Sequence, residues 1–496
     1  MKTLFLSSLF IILAFANARS AEPDEPGGFR AGAATSNITP PLGRLRVGSF
    51  APYPSLHVHD ELHARCLVLS DGETTLAMVV CDLVGFHRSV SVEARRLIEK
   101  SCGIPPDHVM ISATHTHSAG TAMGTTRYTN EQELDDYQKM LARRIADGVR
   151  RAKNLLRPAE IAFGKADAGE NIRSRRWHLR KGRERTDYFG RVNRVWKTAA
   201  PNEDYTKPAG PVDPNVYFLA LREPGGQPIA VYSAYSAHYV GDTGVAHISA
   251  DYFGYYCEKL KRRLSLPEQD PPFVGMMANS TSGDVGLNLD AFSHLPGPKG
   301  NYQRCRFLAD DLAEKVDSAL AEVQWETAAT LDVRFRTVDV AWRPIEPALI
   351  DWARDIEARA PRLKEGNLPI AARWPTTREF VAPLSYAGRV QQLANVTEPA
   401  KVSLQVVRIG DICIGTTPCE TYTEIGRAFQ EHSPFEKTFM VELNHGYLGY
   451  LPTPRHFKLG GYSTWPGTNY LESQASEKIV DHLIEMAQEL KPTGDR

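Results

Sequence analysis

An α/β fold of mixed, layered sheets with flanking helices is what this sequence of 496 residues predicts. Three observations carry the expectation. Short β-branched or aliphatic runs alternate with longer segments of helical period, as they do where helices cover sheets. The runs Cys66 to Ser70 and Thr75 to Val80 flank Asp71-Gly72, a dipeptide suited to the tight turn of a hairpin. Five apolar runs each end in groups that hydrogen-bond or ligate metal. That is the pattern of an α/β protein whose site lies beyond the carboxyl ends of its strands.

In chain order, Lys2, an apolar stretch from Leu4 to Ala16 and the small-residue site Ala16-Asn17-Ala18 read as an export signal over residues 1–18. The mature protein is then expected outside the cytoplasm, secreted or periplasmic. After a polar stretch to Gly28 comes the hairpin, which leads into Cys81-Asp82. Helical segments are expected near Val92 to Cys102, Glu131 to Leu156, Asp251 to Leu264, Tyr302 to Val323, Thr421 to Glu431 and Glu472 to Leu490. The second of these carries its acids early and its bases late, as the helix dipole favours. Between them, His108 to Ser112 leads to Thr114-His115-Thr116-His117-Ser118, and Ile229 to Ala237 leads to His238. Phe273 to Ala278 leads to Asn279-Ser280-Thr281, Val402 to Gly415 to Thr416, Thr417 and Glu420, and Thr438 to Leu443 to Asn444-His445-Gly446.

With 42% hydrophobic residues the chain has ample material for a core, and 58 basic against 59 acidic side chains leave a net charge of -1. Such a balance gives no field for nucleic acid. Past the N-terminus no apolar run approaches the roughly 20 residues that span a bilayer. The stretch from Arg173 to Arg194 holds eight arginines and a lysine among aromatic residues, and reads as an irregular surface excursion. The seven cysteines form no CxxC pair; Cys66 and Cys81 lie close enough in neighbouring runs to bridge or to stay as buried thiols. Sequons begin at Asn37, Asn279 and Asn395.

His115 and His117 are two residues apart, so on an extended backbone both imidazoles point to one side, toward a shared metal or substrate. A catalytic zinc takes about three or four N/O ligands and keeps a position open for water. His238 and Glu420, at other strand ends, are the candidates to complete such a set.

In order and wording these segments resemble the neutral/alkaline non-lysosomal ceramidases. Gly32 to Pro40 is similar to the family's opening GxxxxDITxP, His59 to Leu69 to its HDxLYARxLVL, and Ile111 to Ser118, ISATHTHS, to its ISATHTHSGP. Ile172-Arg173-Ser174, Val212-Asp213, Ser236-Ala237-His238 and Gly283-Asp284-Val285 follow the family in turn, and Tyr450 and Tyr462 keep the spacing of two of its tyrosines. The resemblance implies zinc held by His115, His238, Glu420 and Tyr450. It gives His117, Arg173 and Tyr462 the work of polarising or holding the scissile carbonyl, and sets Asp284 among the catalytic residues. It implies a small-molecule lipid substrate, ceramide or a related N-acyl lipid, cleaved to fatty acid and sphingoid base, with peripheral membrane contact and no nucleic acid. No oligomeric state follows.

Three departures stand out. The family's GDVSPN has a serine where this chain has Gly286, and Ser280, Thr281 or Ser282 are the nearest replacements. Familiar members continue into an immunoglobulin-like β-sandwich, whereas this chain stops at Arg496. The expectation is therefore a single large catalytic domain over residues 28–490 with no C-terminal immunoglobulin-like domain. The segment between Arg173 and Val212 also leaves the family wording. These departures keep two alternatives open: a zinc hydrolase of the same fold acting on another amide or ester, and a silent lipid-binding protein.

Overall fold

The computed structural model describes residues 28–48, 53–124, 127–295, 300–359 and 378–492. The expected export signal lies outside them. Three sheets share one apolar interior. The first runs Val109–Ala113, Thr75–Cys81, His63–Ser70, Arg30–Asn37, Arg157–Pro158 in spatial order. Its hairpin forms as expected, with Ser70 paired to Thr75, Gly72 at φ 96° and Asp71 accepting from the Glu73 and Thr74 amides. The second runs Val274–Asn279, Pro228–Tyr235, Asn215–Arg222, Glu160–Asp167, and the third Leu331–Val340, Ala400–Ile409, Ile412–Thr416, Lys437–Val441.

Alternation along each strand decides which layer a side chain enters. Leu67, Met78 and Met110 of the first sheet meet Leu219, Tyr232 and Met276 of the second and Val407, Ile414 and Phe439 of the third in a common core. The outer faces take helices. Arg88–Cys102 and Asp136–Asn154 cover the first sheet, Asp251–Leu264 and Gln303–Leu320 the second, and Thr423–His432 and Ala475–Glu489 the third. At roughly 1.5–3 kcal/mol for each large aliphatic or aromatic side chain buried, a one-residue slip of any central strand would exchange its core face for its helix face and cost several such terms. Gly32 shows how close the layers come: a Cβ there would lie 2.2 Å from the Ala152 carbonyl oxygen.

The structure departs from the expected elements in particular places. The apolar run from Val402 to Gly415 is two antiparallel strands, turned at Gly410 with φ 62°. The helix expected from Glu131 begins at Asp136. Asp135 caps it, accepting from the Gln138 amide at 2.8 Å while the Gln138 side chain accepts from the Asp135 amide at 3.0 Å, and this box stops the helix from reaching back to Glu131. Helices Pro347–Arg359 and Arg378–Ala394 were not expected. All seven cysteines are buried free thiols. The basic stretch is no mere surface excursion, since Arg175 and Arg176 are buried. Among the described residues no helix is long and apolar enough to cross a membrane.

Candidate metal centre

Four loops at strand ends build one buried cluster. The strand Val109–Ala113 ends, and His115 follows in the left-handed region at φ 70°, its amide bonded to the Leu83 carbonyl. A side chain other than glycine rarely sits there, and such strain collects at functional sites. The extended backbone expected for the His-x-His pair is therefore absent; the kink at His115, and not strand alternation, brings the two rings together at 4.7 Å. His238 follows the strand Pro228–Tyr235. Glu420 opens a two-residue strand paired in parallel with Tyr450 and Leu451. Gly283 lets the loop after Val274–Asn279 approach this strand, because any Cβ would fall 2.4 Å from the Glu420 carbonyl oxygen.

Protons can be placed from the partners. The Nδ1 of His115 donates to the Val84 carbonyl at 2.7 Å, and that of His117 to the Gly48 carbonyl at 2.8 Å. The Ser282 hydroxyl donates to Glu442 Oε1 at 2.6 Å, so its oxygen is free to accept from His238 Nδ1 at 3.2 Å. With Nδ1 committed outward, each ring then turns its Nε2 inward. His115 and His117 bring these nitrogens to 3.1 Å, and those of His115 and His238 lie 3.4 and 3.5 Å from Glu420 Oε2. Glu420 Oε2 is buried without a hydrogen-bond partner, while Oε1 accepts from the Tyr447 hydroxyl at 2.6 Å. Converging lone pairs with an unsatisfied carboxylate oxygen repel one another unless a cation sits among them. The donor set, imidazole and carboxylate, suits zinc.

The electrostatics agree. Burial first, then neighbouring positive groups, holds His117 and His238 well below the ordinary histidine range, hence as neutral ligands. Burial alone would raise Glu420, but His115, Arg175 and the Tyr447 hydroxyl outweigh it and hold the carboxyl at about 2. Tyr450 is pushed well above the usual phenol range, chiefly by burial and against the pull of Arg175. Its hydroxyl faces Glu420 and takes a bond from Arg175 at 2.7 Å. As a phenol it is a bystander; as a phenolate ligand it would need the cation to draw its pKa down.

A cavity of about 350 Å³ opens beside the cluster, lined by His238, Tyr239, Arg175, Arg173, Lys197, Arg304, Asp242 and Gly286 among others. Residues 29–317 match the family described as neutral/alkaline non-lysosomal ceramidase, N-terminal. The chain belongs to that ceramidase family. Its fold is similar to the crystal structure of neutral ceramidase from Pseudomonas aeruginosa, with 20% identity and a TM-score of 0.67 over 94% of this chain and 74% of that one. It is also similar to a ceramidase complexed with C2, with 19% identity and a TM-score of 0.68 over 94% and 75%. Membership supports a ceramidase-like amide hydrolase.

Not every residue expected at the site stands in the cluster of this family member. His115, His117, His238 and Glu420 converge, and Tyr450 touches them through Arg175. Tyr462 stands behind Tyr450, ring centres 5.8 Å apart. Arg173 lines the cavity but spends its guanidinium on the Ala199 carbonyl and on Asp290, 3.3 Å away. Asp284 turns away: its Oδ1 accepts from the Thr423 amide at 2.9 Å, and its backbone carbonyl accepts from the Arg175 amide. Ser282 bonds the outer nitrogen of His238, so it orients that ring and does not stand in for a serine at 286. Two further residues hold the site from outside the expected set. Arg175 is buried with one nitrogen 3.9 Å from Glu420 Oε2, and Tyr447 holds the opposite oxygen. Arg175 follows the strand Ile172–Ser174 in a bend, so no local pattern signalled it.

Proposed function

We propose that this protein is an exported zinc-dependent amidohydrolase that cleaves the amide of ceramide or a related N-acyl lipid into fatty acid and sphingoid base. The observation that carries the proposal is the meeting of bare histidine nitrogens with the unpartnered Glu420 Oε2 beside a cavity, in a chain of the ceramidase family. His115, His238 and Glu420 would hold the zinc, with Tyr450 as the fourth ligand once the cation draws its phenol pKa down. Zinc in such a set lowers the pKa of water toward about 7 and draws charge from a carbonyl. Held neutral by burial, His117 is placed to take a proton from the attacking water and to return it to the departing amine. Arg175 and Arg173 give the cavity the positive lining that favours charge developing on the carbonyl oxygen and the carboxylate of the product.

Gly286 favours a second reading, hydrolysis of another amide or ester, because it lines the cavity without the hydroxyl that the family wording has there. A panel of N-acyl sphingosine, N-acyl amino acid and fatty-acyl ester substrates, offered to the purified full chain with zinc, separates the two. Preference for the sphingosine amide supports the first; cleavage of the others alone supports the second. Export is tested by locating the processed chain, expected outside the cytoplasm with residues 1–18 removed.

A further inference from the structure

A second group of three histidines lies outside the site described above. The two-residue strands His57–Val58 and His247–Ile248 pair in parallel with His57 beside His247, and His59 follows on the same side as His57. One ring nitrogen from each of His57, His59 and His247 lies within 4.8 Å of the other two. Two of the rings are fixed in place. His59 stacks on Tyr302 at 3.6 Å and its Nε2 bonds the Tyr255 hydroxyl at 2.8 Å, while the Nδ1 of His247 bonds the Tyr302 hydroxyl at 2.8 Å. Each therefore keeps one ring nitrogen uncommitted, and among the described residues the His57 ring shows no hydrogen bond. Outer partners that orient a ring in this way are the usual companions of ligating histidines.

We propose that His57, His59 and His247 form a second binding site for a late first-row divalent cation, with zinc as the working case. Three imidazoles and no carboxylate exclude calcium and magnesium, which require oxygen ligands. His57 is exposed and the other two are partly so, which leaves room for solvent to complete the coordination. The cation would tie the strand at His57 to the loop Gly241–His247, whose Gly241 and Asp242 line the cavity. It would thus brace one wall of the site without contributing to it chemically.

The test is zinc content. The full-length chain is stripped with chelator, dialysed against buffered Zn²⁺ and assayed for metal per chain, together with His57→Gln, His247→Gln and His115→Ala. Two equivalents in the parent, one in each of His57→Gln and His247→Gln, and one retained in His115→Ala are expected. A melting point raised by zinc in His115→Ala, and no longer raised when His247→Gln is added, is expected alongside. Two equivalents persisting in both glutamine variants would overturn the proposal, as would a single parental equivalent that His115→Ala removes. A single equivalent lost from His247→Gln but kept by His115→Ala would leave the second site standing and remove the support for the catalytic one. His57 is exposed, so its variant does not depend on the fold tolerating a buried change.

Discussion

Replacing Tyr447 by phenylalanine removes one oxygen and little else. The phenol donates to Glu420 Oε1 at 2.6 Å, and this bond turns the carboxylate so that Oε2 faces His115 and His238 at 3.4 and 3.5 Å. A hydrogen bond to a charged acceptor contributes about 1.5–3 kcal/mol, and loss of an outer partner of a metal ligand typically weakens binding about 10- to 100-fold. The two figures agree, since about 1.4 kcal/mol is a factor of ten. Tyr447→Phe should therefore weaken zinc binding about 10- to 100-fold with an unchanged fold, and excess zinc should restore most of the turnover. Competition with a chromophoric chelator measures the affinity, and circular dichroism checks the fold. An affinity within about twofold of the parent would refute the idea that Tyr447 orients Glu420 for a metal.

Other consequences follow from the same structure. Gly286→Ser brings its Cβ to 3.3 Å from the Arg175 Cβ, which must give by a few tenths of an ångström, and it should raise ceramide turnover, by on the order of 10²-fold if its hydroxyl reaches the oxyanion; an unchanged kcat would exclude that role. Exposed Leu56 and Val245 are joined through the Leu56 amide and the Ala246 carbonyl. Charge introduced there, as Leu56→Glu with Val245→Glu, should weaken sedimentation with phospholipid vesicles while sparing a soluble short-chain amide. Burial lifts Asp60 to about 6 against its hydrogen bonds from Ser249 and Ala250. The folded chain then holds this proton more tightly than the unfolded one, so the contribution is complete below the ordinary value near 3.8 and disappears as pH rises through about 6. It is worth about 3 kcal/mol. Urea unfolding of metal-free Asp60→Asn should show its stability rising relative to the parent by up to that amount between about pH 4 and 7. In a glycosylating host, mass spectrometry should find glycan at the exposed Asn37 and Asn395 and none at Asn279, which is fully buried.

Much of the fold was legible because its signals are local. Asp71-Gly72 turns the first hairpin, and the helix at Asp251–Leu264 begins and ends where its periodicity does. His115, His238 and Glu420 could be placed together since each follows an apolar run, and strand ends converge. What escaped depends on contacts distant in sequence. Arg175 sits in a run of arginines that composition assigns to the surface; only the pairing of Ile172–Ser174 with Val285–Leu287 carries it inward. Tyr447 reaches Glu420 across a loop whose course is set by left-handed residues at His445 and Gly449. Asp284 has the sequence context of a site residue, yet the bond from the Thr423 amide turns its carboxylate the other way.

The most direct test of the central claim is release of labelled fatty acid from ceramide by the purified mature chain, measured with zinc, after chelation, and with His115→Ala. Release that requires zinc and vanishes with His115→Ala is the predicted result. Release that persists after chelation or in His115→Ala, or none from a chain with zinc bound at His115, would contradict it.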